Sequence, residues 1–166
     1  EAAIENGNSI IGYSAKEAVF LNPYKLDYLG FEKDENFVGW RKNSSFILGI
    51  GNNFLRQSIA KLIKNENKKI KTVMHSSASI SRSSSIGDGT FINRNVSVNA
   101  IATIGKYVIL NTGCIVEHEC VLEDAVHIGP GAVLAGNVVI GERSFIGANV
   151  VIKQGVVIGK DVIIGA

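Results

Sequence analysis

Between Asn111 and Gly131 the chain reads NTGCIVEHECVLEDAVHIGPG. These twenty-one residues hold two of its three histidines, four carboxylates and both cysteines. Such a set suits three chemistries. Histidine, thiolate and carboxylate together can hold a metal ion. A histidine flanked by carboxylates, as in Glu117-His118-Glu119, can act as a general base. Imidazole exchanges a proton near neutral pH, and an adjoining carboxylate steadies the cation that forms. The third possibility is plain decoration on the outside of a structural repeat. The elements that carry these residues decide between them.

Those elements repeat every six residues. An aliphatic residue stands at each sixth position from Ile80 to Ile164, fifteen times without a miss. Two residues before each lies a small or β-branched residue, from Ala78 to Val162. A helix cannot use this spacing, because six is not a multiple of 3.6. Short strands can, since residues two apart point to the same side. Hexads therefore predict a coiled prism of parallel strands. Glycine often follows the aliphatic position (Gly87, Gly105, Gly129, Gly141, Gly147, Gly159, Gly165), which is read as serving tight corners. The array runs out at Ile164-Gly165-Ala166 with no cap, so the natural chain is expected to continue.

This frame sorts the chemical residues. Cys114 and Cys120 fall on the small inward register and read as core fillers, neither nucleophiles nor ligands. His118 and His127 lie off both inward registers and should face outward. Nine residues apart, they are one and a half sides of the prism from each other. They cannot easily share one face of one chain, but could meet across a groove between two packed prisms. His75 reads as a surface turn residue.

Residues 1–75 have a different grammar. Ser9–Tyr13 (SIIGY), Ser44–Gly51 (SSFILGIG) and Ile70–His75 (IKTVMH) read as strands, with an irregular stretch from Ser14 to Asn36. Asn52-Asn53 should cap a helix with Leu55, Ile59, Leu62 and Ile63 on one face. The order resembles part of a Rossmann-like domain. Gly49-Ile50-Gly51-Asn52-Asn53 is either an anion-binding turn or a tight turn with an N-cap. The expected division is residues 1–75, a partial Rossmann-like substrate domain, and residues 76–166, the prism.

Composition narrows the function classes. A net charge of +2 is too weak to argue for nucleic acid. No apolar run of about 18 residues exists to span a membrane. Two cysteines make no disulfide scaffold, so reduced thiols in a cytoplasm are expected. No signal segment opens the chain, and Glu1 suggests a natural start further upstream.

The aliphatic-Gly-x-x-small-x hexads are similar to those of the left-handed parallel β-helix acyltransferases. The combination of GIGNN (Gly49–Asn53), ILNTGCIVEHEC (Ile109–Cys120) and HIGPGAVLAGNVVIG (His127–Gly141) resembles a narrower group. That group contains the sialic acid O-acetyltransferases and the nucleotide-aminosugar N-acetyltransferases, including bacillosamine-pathway and perosamine enzymes. Two departures are plain. The group opens with a strand and a glycine-rich loop that lie upstream of this chain. It also carries an acidic pair after the strand matching IIGY, where Ser14-Ala15-Lys16 stands here.

The resemblance implies an α/β Rossmann-like part followed by a left-handed β-helix of about five coils, acetyl-CoA as cosubstrate, no metal, and a homotrimer with sites between subunits. It makes His118 the general base and Glu119 its partner. It places His127 near the acetyl group and gives the Gly136 main chain to the thioester oxygen. Ala148 and Ala166 align with main-chain contacts to the coenzyme, and Gly51, Asn52 and Asn111 with the sugar substrate. The favoured reaction is N-acetylation of a nucleotide-linked 4-amino-6-deoxy sugar by direct attack, with sialic acid O-acetylation as the alternative. A γ-carbonic-anhydrase-like zinc lyase, which needs three histidine ligands, and a non-catalytic prism are further readings.

Overall fold

The computed structural model describes residues 1–166. Each hexad forms one strand of two residues. Sixteen such strands, β1 (Val73–Met74) to β16 (Ile163–Ile164), wrap a three-sided prism. The first face stacks β1, β4 (Phe91–Ile92), β7 (Ile109–Leu110), β10 (His127–Ile128), β13 (Phe145–Ile146) and β16. The second stacks β2 (Ser79–Ile80), β5 (Ser97–Val98), β8 (Ile115–Val116), β11 (Val133–Leu134) and β14 (Val151–Ile152). The third stacks β3 (Ser85–Ile86), β6 (Thr103–Ile104), β9 (Val121–Leu122), β12 (Val139–Ile140) and β15 (Val157–Ile158). All pairings are parallel and in register between neighbouring coils, as in Ile109 with His127 and His127 with Phe145. This is the left-handed parallel β-helix of about five coils that the hexads and the resemblance led us to expect.

Both inward registers meet in one core of twenty buried residues, among them Val108, Leu110, Cys114, Val116, Cys120, Leu122, Val126 and Ile128. Burying each Leu, Ile or Val contributes about 1.5–3 kcal/mol. No single coil could hide its apolar side alone, so stacking is what stabilises each of them.

The corners correct one expectation. The glycine after each aliphatic residue does not take the turn conformation. The left-handed φ falls two residues later, at every sixth position from Gly89 (+69°) through Ile101 (+64°), Tyr107 (+59°) and Glu119 (+62°) to Asp161 (+60°). The glycines are needed instead for stacking. A Cβ at Gly87 would lie 2.5 Å from the Gly105 carbonyl carbon, and one at Gly141 would lie 2.5 Å from that of Gly159. Corners of adjacent coils touch main chain to main chain, leaving no room for a methyl group.

The α/β part is small. It comprises α1 (Ala2–Glu5), a 3₁₀ turn (Val38–Arg41) and α2 (Asn53–Asn65). Of the three expected strands, SIIGY contributes a single bridge, Tyr13 to Tyr28, and SSFILGIG another, Phe46 to Ile70. IKTVMH supplies β1, which pairs with β4 and so belongs to the prism. Short pieces without a sheet of their own are held by a second core of Leu48, Ile59, Ala60 and Ile63 against Tyr107 and Ala125 of the prism.

The packed side of α2 also differs from the expected aliphatic stripe. Leu55 is exposed, while Asn53, Arg56 and Gln57 are buried with Ile59, Ala60 and Ile63. The N-terminal half of the helix meets the prism through polar groups, the C-terminal half through apolar ones.

Candidate functional site

The chain leaves β8 through a corner made by Glu117, His118 and Glu119. The left-handed φ of Glu119 turns it toward β9, and its N–H donates to the Ala100 carbonyl at 3.0 Å. The His118 carbonyl accepts from Asn137 N at 2.8 Å. This main-chain ladder leaves the imidazole outside the prism. Its Nδ1 lies 3.0 Å from Glu119 Oε2, and the two side chains are 50% and 56% exposed. With Nδ1–H donating to the carboxylate, Nε2 keeps its lone pair and has no partner in the chain. That arrangement suits a base.

Gly136 occupies the same corner position one coil on and lies against the ring. A Cβ there would be 2.5 Å from both His118 Cε1 and Nε2. The Gly136 N–H donates to no main-chain acceptor. A lone pair and a free N–H donor thus sit together at one corner, the pairing needed for proton removal beside a developing oxyanion.

His127 stands elsewhere, on the first face, pointing outward from β10. Its ring meets Phe145 of the next coil edge-on at 5.0 Å. Asn111 Nδ2 lies 3.5 Å from Nε2. Burial, then the nearby Arg56 cation, push the imidazole down to about 4, so it is neutral at physiological pH. Asn111 is itself fixed by Asn93, whose Nδ2 donates to its Oδ1 at 3.1 Å.

Asn52 caps α2, its Oδ1 accepting from Leu55 N at 2.9 Å. Gly51, Asn52, Asn53 and Phe54 line a cavity of about 200 Å³ with Arg143, Phe145, Asp161 and Ile163. Ala148 and Ala166 stand in one column of the corner between the first and second faces. Ala148 N closes over Gly129, and Ala166 N over Gly147.

The proposed residues therefore form two groups in one chain. His118, Glu119 and Gly136 share the corner between the second and third faces. His127, Asn111, Gly51 and Asn52 gather at the first face, with Ala148 and Ala166 at its edge. The three histidines share no site. His75 is not a surface residue: it is 9% exposed, with Nε2 2.8 Å from Glu5 Oε2 and Nδ1 2.8 Å from Ser77 Oγ. Both cysteines are free and fully buried, and burial pushes the Cys114 thiol up to about 12 and the Cys120 thiol upward too. Both thiols are closed off inside the prism, and their burial disfavours the thiolate.

Two further residues, Arg56 and Asn53, tie the α/β part to the prism. Arg56 is 1% exposed. It donates from Nε to Tyr107 O (2.7 Å), from NH1 to Ile50 O and Gly51 O (each 3.0 Å), and from NH2 to Asn53 Oδ1 (2.8 Å), Ala125 O (2.7 Å) and Val126 O (3.3 Å). Asn53 Nδ2 continues to Arg143 O (2.7 Å) and Ser144 O (3.1 Å). Tyr107, Ala125 and Arg143 are the left-handed residues of three successive coils at one corner. Their outward carbonyls form a column that α2 reads. An arginine among leucines on an amphipathic helix carries no mark of this role.

The bacterial transferase hexapeptide family (six repeats) matches residues 119–154 and 137–166. No curated relative matches the chain by sequence. Among solved structures it is similar to PerB of Caulobacter crescentus in complex with CoA and GDP-perosamine, at 33% identity over 86% of this chain and 69% of that one, TM-score 0.80. A histidine-to-alanine mutant of GDP-perosamine N-acetyltransferase from the same organism, again with CoA and GDP-perosamine, is 35% identical over 78% of this chain, TM-score 0.73, and this chain spans 61% of its length. The acetyltransferase domain of PglB from Neisseria gonorrhoeae, in complex with acetyl coenzyme A, is 28% identical over 99% of this chain and 80% of that one, TM-score 0.89.

Proposed function

Because the chain belongs to the hexapeptide-repeat sugar N-acetyltransferases, we propose that it moves the acetyl group of acetyl-CoA onto the amine of a nucleotide-linked 4-amino-6-deoxy sugar. The observation that carries this reading is the His118–Glu119 pair stacked against Gly136 at a half-exposed corner. The neighbours' ligands, CoA, acetyl coenzyme A and GDP-perosamine, support the substrate classes.

The sugar amine attacks the thioester carbonyl directly, forming the C–N bond. His118 Nε2 takes the proton that the amine sheds, while Glu119 steadies the imidazolium. Negative charge gathers on the carbonyl oxygen, and the unused Gly136 N–H is the donor assigned to it. When the C–S bond breaks, the imidazolium returns the proton to the departing CoA sulfur. No enzyme thiol takes part, in keeping with the buried cysteines.

The two groups of residues lie on different sides of one chain, so we assign the complete site to a groove between copies. Outward aliphatic residues continue on the second and third faces two coils beyond the His118 corner, where Val151 and Val157 are each 71% exposed. A homotrimer would cover these stripes and set the first-face group of one copy against the His118 corner of the next. Ala148 and Ala166 would then contact the coenzyme. The α/β part, with Gly51, Asn52 and Asn111, would receive the sugar nucleotide. No helix is long and apolar enough to cross a membrane, and we place the reaction in the cytoplasm.

The test is acetyl transfer to nucleotide 4-aminosugars, read as free thiol release. His118→Ala should abolish transfer and leave acetyl-CoA affinity nearly unchanged. Retained turnover would remove His118 from the base role, and no turnover by the natural protein on any 4-aminosugar would remove the substrate assignment.

A further inference from the structure

The first corner of the prism holds a group of side chains that acetyl transfer does not use. His75 follows β1 and is 9% exposed. Its Nε2 lies 2.8 Å from Glu5 Oε2, and its Nδ1 lies 2.8 Å from Ser77 Oγ. The Ser77 N–H also donates to Nδ1, at 3.1 Å. Nδ1 is therefore the unprotonated nitrogen. Nε2–H donates to the carboxylate, and the Ser77 hydroxyl donates to Nδ1. Serine, imidazole and carboxylate follow one another within hydrogen-bond reach. That connectivity turns a serine hydroxyl into a nucleophile.

Charge and exposure suit the same chemistry. Glu5 gives its other oxygen to Arg94 NH2 at 2.6 Å, and Arg94 NH2 also meets Glu1 Oε1 at 2.7 Å. Two carboxylates on one guanidinium leave one negative charge over, which an imidazolium at His75 would balance. The ring is shielded while Ser77 is exposed. Asn95 N–H donates to Ser77 Oγ at 3.0 Å, which fixes the oxygen and leaves it a lone pair for attack. The neighbouring Ser76 N–H has no acceptor in the chain and is a donor available to an oxyanion.

The fold does not require a histidine here. At the next corner Ser81 Oγ does the same local work, accepting from Ser83 N at 3.3 Å. In the two coils stacked on His75 the equivalent residues are Asn93 and Asn111, whose Oδ1 atoms accept from the following N–H, each at 2.8 Å. An oxygen suffices to close such a corner. The imidazole adds a proton acceptor between a hydroxyl and a carboxylate.

We propose that Ser77, His75 and Glu5 form a second acyl-handling site, a serine esterase centre for short acyl esters. Ser77 Oγ adds to the ester carbonyl carbon and its proton passes to His75 Nδ1. The C–O bond to the alcohol breaks, and the alcohol leaves with that proton. Water then adds to the acyl-serine carbonyl and gives a proton to Nδ1. The bond from carbon to Oγ breaks, the acid departs, and the proton returns to Ser77. Glu5 is the positioning residue, holding the ring and steadying its cation.

The experiment treats the full chain with a fluorophosphonate, which traps activated serines, and with p-nitrophenyl acetate. One label per chain should appear, on the peptide that carries Ser77, and Ser77→Ala should lose both label and ester hydrolysis. His75→Asn, which places the residue of the next two coils at this corner, should slow labelling about 100-fold or more. Glu5→Gln should lower kcat for the ester about tenfold and leave KM little changed. No label on Ser77, or labelling of folded His75→Asn at the natural rate, overturns the proposal. Should His75→Asn fail to fold, labelling of the natural protein against Ser77→Ala decides. Neither probe contains coenzyme A or a sugar, so the result stands apart from that of the acetyl-transfer assay.

Discussion

Gly136 and His118, one coil apart, are in contact: the space a Cβ would need at residue 136 is filled by the imidazole, 2.5 Å from Nε2. A glycine here therefore differs in purpose from its neighbours in the repeat. At Gly141 the obstacle is the main chain of the next coil, also at 2.5 Å. One obstacle can swing into solvent and the other cannot.

Gly136→Ala should consequently fold with a melting temperature close to that of the natural protein and lose activity, at least about tenfold, because the ring is pushed off its position. Gly141→Ala should do the reverse to stability, costing about 1–3 kcal/mol through overpacking. Thermal melts alongside thiol-release rates check both. Equal destabilisation by the two changes would show that the His118 ring is as immobile as main chain.

Glu119→Gln keeps the size of the side chain and an acceptor oxygen but removes the charge that steadies the imidazolium. Its turnover should fall by about 10–100-fold, less than that of His118→Ala, with KM for acetyl-CoA little changed. Steady-state kinetics of the two variants side by side make the comparison.

Ile101 is a β-branched residue held at φ +64° and 63% exposed. Few residues tolerate that conformation less well. Asparagine, as found at the equivalent corner residue Asn137 (φ +57°), accepts it readily. Ile101→Asn should raise stability by about 1 kcal/mol, read from a shift in denaturation midpoint. No change or a loss would mean that the side chain is covered in the assembled protein.

The His127 titration ties pH to stability. Its folded value of about 4 lies below the ordinary imidazole value of 6.5, so the unfolded chain binds the proton more readily. The contribution is fully present above pH 6.5 and fades as pH falls toward 4. Discounted for the ring's partial exposure, the loss is on the order of 1–2 kcal/mol. Melting temperatures of the natural protein and His127→Gln, compared across this window, should converge at the acid end.

Legibility followed the physics of each part. The prism was readable because its period is short and both inward registers are apolar; Cys114 and Cys120 were placed in the core on that ground, and they are there. His118 and His127 stand outside the prism and apart from each other, as their offset from both inward registers implies. The small α/β part was harder, since its strands reduce to single bridges at Tyr13 and Phe46 whose stability comes from packing on the prism. Arg56 was invisible because its acceptors are main-chain oxygens up to 70 residues away, which no side-chain pattern encodes. The positions of the corner glycines are legible in the sequence but their purpose is not: stacking, seen only between coils, sets the demand.

In-register stacking at an eighteen-residue interval, as between Ile109 and His127, makes the molecule sensitive to the phase of any length change. Loss of one whole hexad would rotate everything downstream by a third of a turn, leaving a plausible prism in which Gly136 no longer adjoins His118. Loss of three hexads would shorten the prism and restore every alignment. For a chain of this kind, evolution by deletion is quantised, and only whole turns conserve the chemistry.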